Sequence, residues 1–137
     1  MYLLDTSVIS ELRKSGTKRI DKHVKSWAET VAVADLFLSV VTLAELEVGV
    51  LALERKDPAQ GVHLRVWLDQ YVKVHFHGRI LDITPAVALE YANMNVPDRV
   101  AVMDGLIAAT ALTHNMVVVT RNITDFPWVT TLNPFEY

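Results

Sequence analysis

MDGLIAATALTHNMVVV, residues 103–119, reads as two elements joined by a sharp stop. Met103 to His114 is rich in alanine and leucine, the residues that lose least on entering a helix. Asn115 follows, a residue that tolerates the left-handed backbone on which helices end. Met116 to Val119 is then apolar at every position, the pattern of a strand buried on both faces. A helix feeding such a strand predicts a parallel sheet covered by helices on either side.

The same alternation runs through the rest of the chain. Met1 to Leu4 predicts a short buried strand that ends at Asp5 and passes into a helix carrying Val8, Ile9 and Leu12, stopped at Gly16. Ile20, Val24, Trp27 and Val31 recur at helical spacing with Lys18, Lys22 and Lys25 on the opposite face. Leu36 to Val40 reads as a second strand, followed by Thr42 and by Leu43, Leu46, Val50 and Leu53 at helical intervals. Asp57 and Pro58 interrupt that helix and start another through Leu64, Trp67, Leu68 and Tyr71. Arg79 to Ile83 predicts a third strand, and Thr84 with Pro85 opens a helix to about Asn95. Val96 to Val102 is a loop, and a last strand fits Val129 to Leu132. The expected fold class is α/β, a single domain over residues 1–137 without repeats or an internal linker. The tail, Asn133 to Tyr137, is short and aromatic, and is expected to pack back on the domain or on a second subunit.

Composition narrows the function classes. The chain has 137 residues, with 13 Lys plus Arg against 16 Asp plus Glu, and a formal charge of -3. Those totals disfavour a basic nucleic-acid-coating protein, while 51% hydrophobic residues exclude a disordered chain. No apolar run reaches the roughly 18 residues that a bilayer span requires, and the opening residues lack a signal-peptide pattern. A soluble, cytoplasmic protein is expected. With no cysteine there is neither a disulfide framework nor a thiolate, so a metal would be held by oxygen or imidazole.

In a parallel sheet the right-handed crossovers bring every strand's carboxyl end to one edge, where ligands bind. Asp5 ends the first strand, Glu45 lies early in the helix after the second, and Asp125 follows the last apolar strand through Thr120-Arg121-Asn122-Ile123-Thr124. Asp104, at the start of the Ala-rich helix, joins them if that helix begins at this edge. Each acid also has a purely structural use: Asp5 as a helix cap, Glu45 as the acceptor of a Thr42 capping box, Asp104 on a helix dipole, and Asp125 in a turn. Taken together they differ from four caps, because converging carboxylates without a nearby base repel and raise one another's pKa values. A divalent cation relieves that repulsion, and carboxylates without thiolates suit Mg²⁺ or Mn²⁺. Such sites commonly hydrolyse phosphodiesters: one cation activates a water and a second, about 4 Å away, stabilises the leaving oxygen. Gly105, beside Asp104, is expected to let a substrate backbone approach closely.

Four blocks carry a family resemblance. Leu3-Leu4-Asp5-Thr6-Ser7-Val8-Ile9, Ser39 with Thr42-Leu43-Ala44-Glu45-Leu46, Asp104-Gly105-Leu106-Ile107-Ala108-Ala109-Thr110-Ala111-Leu112 and Thr120-Arg121-Asn122-Ile123-Thr124-Asp125-Phe126 together resemble PIN-domain ribonucleases. The likeness is to VapC-type toxins of prokaryotic toxin–antitoxin pairs, including the FitB-like branch, and spans nearly the whole chain in order. It implies a central five-stranded parallel sheet flanked by helices on both faces, Mg²⁺- or Mn²⁺-dependent cleavage of RNA, homodimerisation and a VapB-like antitoxin. It further implies that Asp5, Glu45 and Asp104 are the core metal ligands and catalytic acids. Asp125 is then the fourth, where many relatives instead carry an acid at the position of Asn122. Thr6, Thr120 and Ser39 resemble hydroxyl residues that orient a carboxylate or a water.

The remaining residues offer weaker signals. His23, His63, His75, His77 and His114 show no HExxH spacing, which leaves a zinc site unsupported. Trp27 and Trp67 sit in apolar stripes and, with Trp128, are expected to be core or dimer anchors before base-stacking platforms. Arg13, Lys14, Lys18, Arg19, Lys22 and Lys25 form a solvated helix face or an RNA-backbone contact, with Arg13, Lys14 and, beside the acids, Arg121 as candidates for touching RNA phosphate. A phosphoaspartate hydrolase using Asp5 would want a second acid two residues on, where Ser7 stands; a receiver-like signalling domain lacks its paired acid and lysine. An inactive relative that only binds RNA or an antitoxin would keep the fold without needing Asp5, Glu45 and Asp104. Setting the four acids aside as ligands leaves 12 acids against 13 bases, so the negative total is compatible with an RNA-binding enzyme.

Overall fold

The computed structural model describes all 137 residues. Its centre is a five-stranded, wholly parallel sheet in the order β3-β2-β1-β4-β5, built from β1 (Tyr2–Leu4), β2 (Leu36–Ser39), β3 (Ile80–Leu81), β4 (Val117–Val119) and β5 (Thr131–Leu132). β1 lies in the middle, with Leu3 opposite Phe37 of β2 on one side and Val118 of β4 on the other. The helices are α1 (Thr6–Leu12), α2 (Lys22–Ala28), α3 (Val40–Lys56), α4 (Pro58–Val66), α5 (Lys73–His75), α6 (Pro85–Met94) and α7 (Val102–His114), with a π-helical stretch, Trp67–Val72, joining α4 to α5. None is long and apolar enough to cross a membrane.

Side chains alternate across the strands, so the sheet supports two cores. Leu4 and Val119, register partners, face a cluster with Val8, Ile9, Trp27, Leu38, Leu46, Val50 and Leu68. Leu3 and Val118, the preceding partners, face Ile107, Ala108 and Ala111 of α7 with Phe126. Both faces are therefore covered, which explains why β4 tolerates no polar residue.

Several boundaries move from their expected places. Val40 is the first residue of α3 rather than the end of β2, because the Ser39 side chain caps the helix, accepting a hydrogen bond from the Val41 N–H at 2.9 Å. Thr42 is thus inside α3 and makes no capping box with Glu45. Ile20 and Val31 fall outside α2, whose start is set by Asp21 accepting from the N–H groups of His23 and Val24. β3 and β5 are two residues each, shorter than the apolar runs that contain them. Thr84 and Pro85 open α6 as their types require, and Asn115 ends α7 at φ 55°, ψ 46°. The aromatic tail folds back on its own domain: Phe135 packs against the first core, and His23 Nδ1 lies 3.0 Å from the Tyr137 carbonyl oxygen.

Candidate active site at the carboxyl edge of the sheet

The chain runs from β1 through α1 and α2 to one side of the sheet, then returns through α6 and α7 to fill the other, so the order reverses beside β1. That switch point opens a crevice at the carboxyl edge. Asp5 follows β1, α3 carries Glu45 away from the end of β2, and α7, which runs back before feeding β4, presents its first turn and Asp104 at the same edge. Thr120 and the turn Ile123–Asp125 follow β4.

Asp5 stands at the N-cap position of α1, yet its carboxylate caps nothing. It is buried, and its Oδ2 accepts from Thr120 Oγ1 at 2.9 Å and from Ser7 Oγ at 3.4 Å. Both bonds fall on one oxygen, which leaves Oδ1 without a protein donor. Glu45 is held the same way: Thr6 Oγ1 donates to its Oε1 at 2.7 Å, across the gap between α1 and α3. The hydroxyls of Thr6 and Thr120 thus each orient one carboxylate. Ser39 does not join them, because its hydroxyl is occupied by the cap of α3.

Asp104 has its pKa raised above the ordinary carboxylate value, first by burial and then by the charges of Asp125, Asp5 and Glu45. The four acids therefore share one field, and Asp125 acts on Asp104 more strongly than the other two. None of the four is ion-paired with a lysine or arginine. Asn122 is exposed, and its backbone N–H donates to Thr120 Oγ1 at 3.0 Å, so its observed part is to hold the threonine that holds Asp5.

The donor chemistry fits a hard divalent cation: carboxylate oxygens in like-charge repulsion, with no base to neutralise them. A further polar group lies on the same helix, since Thr42 Oγ1, three residues ahead of Glu45 and fully buried, has no hydrogen-bond partner. No three histidine, aspartate or glutamate side chains converge closely enough to form a metal cage.

Two residues take other parts than the sequence suggests. Gly105 is buried, and a Cβ there would lie 2.8 Å from both the Tyr91 ring and a Val100 methyl carbon. It is glycine because α6 packs closely on α7, not because substrate backbone passes by. Gly105→Ala is expected to cost about 1–3 kcal/mol through overpacking, read as a lowered urea midpoint, and to disturb Asp104 next to it. Ser7, which reads in the sequence only as a missing acid, links two parts of the site: it donates to Asp5 and accepts from the Arg121 N–H at 3.3 Å. A hydroxyl two residues after a strand-end acid is the only sequence signal it leaves.

Arg121 itself lies over the Phe135 ring at 4.5 Å, and its carbonyl accepts from Asn133 Nδ2, so the folded-back tail positions it. Lys14 is paired with Glu11 at 3.1 Å. Arg13 forms no ion pair; it lines a cleft beside Glu45, with its guanidinium 6.0 Å from the Trp67 ring centre. Trp27 is fully buried and meets Tyr2 edge-on, as a core residue.

The family model described as PIN domain matches residues 2–127. The chain is a PIN domain. Over 132 residues, 92% of this PIN domain and 91% of that protein, it is 38% identical to toxin FitB of Neisseria gonorrhoeae. Over 73 residues, 52% of this chain and 66% of that protein, it is 49% identical to ribonuclease VapC14 of Mycobacterium tuberculosis. The PIN domain superposes on the crystal structure of FitAcB from Neisseria gonorrhoeae with a TM-score of 0.85 and 34% identity, covering all of both chains.

Proposed function

We propose that this PIN domain is an endoribonuclease dependent on Mg²⁺ or Mn²⁺ and acts as the toxin of a VapBC-type pair in the cytoplasm. The observation that carries the reading is the field around Asp104, where burial and three further carboxylates act on one side chain without a compensating base. Relatives named ribonuclease and toxin, and a neighbour solved as FitAcB, support the substrate class and a VapB-like antitoxin as partner. A homodimer is part of the proposal.

Asp5, Glu45, Asp104 and Asp125 would hold the cation, which when bound supplies charge to a phosphodiester and acidity to a water. The chain's own residues prepare that arrangement. Thr120 and Ser7 fix Asp5 through Oδ2 and turn Oδ1 free, and Thr6 fixes Glu45 through Oε1. Two locked carboxylates thus lose little freedom on engaging a ligand. Arg121, next to Thr120 at this edge and outside the acid cluster, would meet an RNA phosphate.

Cleavage of a mixed RNA pool by the purified chain, with Mg²⁺ or Mn²⁺ and with EDTA, tests the reading. Metal-dependent products blocked by EDTA are expected; EDTA-resistant cleavage, or none with either metal, would overturn it. Thr120→Val, which removes the hydroxyl on Asp5, is expected to lower cleavage about 10- to 100-fold and weaken metal binding in calorimetry, with the fold retained.

A further inference from the structure

Arg13 and Trp67 frame a cleft that adjoins the acid site. Thr6, Ser10, Arg13, Glu45, Leu46, Gly49, Leu64 and Trp67 enclose about 190 Å³, so the hollow shares Thr6 and Glu45 with the acids while Trp67 closes its far wall. It continues past Arg13 and Trp67 toward His63 and the exposed ring of Tyr71. Trp67 is half-buried, anchored against the first core by part of its ring. Arg13, one turn beyond Ile9 and just past the end of α1, has no carboxylate partner.

The chain contains three arginines over aromatic rings, and their separations differ. Arg121 lies 4.5 Å from the Phe135 centre and Arg79 5.0 Å from that of Phe76, whereas Arg13 lies 6.0 Å from that of Trp67. Arg13 is thus the least closely held of the three, and as a long, unpaired side chain at a helix end it can turn its guanidinium to a phosphate while the Trp67 ring lines the cleft. Glu45 repels a phosphate at one end of the cleft and Arg13 attracts one at the other, which suits a nucleotide leaving the acid edge along this path.

We propose, resting on the ribonuclease reading, that this cleft is a nucleotide subsite flanking the scissile phosphodiester, with Trp67 stacking on an RNA base and Arg13 holding the adjoining phosphate. Stacking on an indole is tolerant of base identity, so the subsite adds affinity for single-stranded RNA more than sequence choice.

Steady-state cleavage of a short single-stranded RNA by the wild-type chain and by Trp67→Leu, Trp67→Phe and Arg13→Gln tests this. Trp67→Leu is expected to raise KM roughly 10-fold at little-changed kcat, with Trp67→Phe recovering most of the loss. Arg13→Gln is expected to raise KM and to flatten the dependence of log KM on log salt by about one unit, which Trp67→Leu does not do. Wild-type KM and salt slope in Arg13→Gln, or equal damage from Trp67→Phe and Trp67→Leu, would overturn the subsite while leaving metal-dependent cleavage standing. Variants that cleave as wild type but no longer bind the antitoxin would show a protein-docking cleft, and overturn it equally. No cleavage by the wild type would remove the ribonuclease reading and the subsite with it.

Discussion

Asp104→Asn is expected to lose RNA cleavage by on the order of 10³-fold, the scale on which removal of one preorganised charged or polar partner acts at a water-excluded site. It is also expected to leave the metal-free protein at least as stable as the wild type. The second half follows from the raised pKa of Asp104. A carboxyl that binds its proton more tightly in the folded state than in the unfolded one stabilises the fold only while protonated. Its contribution falls as pH rises from the ordinary value of 3.8 through the raised one. Above that raised value the wild type carries an ionised Asp104 facing Asp125, Asp5 and Glu45, and asparagine removes that repulsion at almost constant volume. Thermal melts in EDTA should place the variant at or above the wild type near pH 7 and bring the two together below about pH 3.8. Saturating Mg²⁺ or Mn²⁺ should reverse the order, because a cation that binds only the folded wild type stabilises it by mass action. A variant that melts lower in EDTA at pH 7, or cleaves as well as the wild type, would contradict the assignment of Asp104 as a charge-strained ligand.

Trp27→Ala should produce the largest loss of stability, about 3–5 kcal/mol, enough to unfold a domain of ordinary stability. Trp27 is 1% exposed; it carries α2 into the core cluster that includes Leu4, Leu36 and Leu38, and its ring meets Tyr2 at 89° and 5.6 Å between centres. Deleting it opens a cavity where α2 rests on the sheet, and the tail that packs beside α2 would loosen with it. Urea denaturation should show the loss, with Trp27→Phe costing clearly less. A small effect of Trp27→Ala would place the indole outside the core.

Much of the architecture is legible in the order of apolar and polar residues. The four-residue apolar run at Met116 to Val119 requires burial on both faces, and Leu3, Leu4, Val118 and Val119 do divide between two cores. Element ends are less legible, since they depend on which hydroxyl or carboxylate wins a backbone N–H. Ser39 takes the cap of α3 that the spacing of Thr42 and Glu45 suggests for Thr42. Gly105 shows a related limit: a glycine beside an acid reads as room for substrate, and only the position of Tyr91 and Val100 reveals that the room is already filled.

The sequence by itself determined which elements form and that Asp5, Glu45 and Asp125 lie at one edge, because strand direction and right-handed crossovers put strand ends together whatever the side chains do. Only the tertiary structure decided how that edge is wired. Asp5 and Thr120 are 115 positions apart and Thr6 and Glu45 are 39 apart, and no local pattern encodes a 2.9 or 2.7 Å bond across such separations. The same holds for the charge on Asp104, which depends on distances through space, and for Arg13 meeting Trp67 across a cleft. Periodicity reports what a residue's neighbours in the chain allow; electrostatics and hydrogen bonding depend on neighbours that only folding supplies.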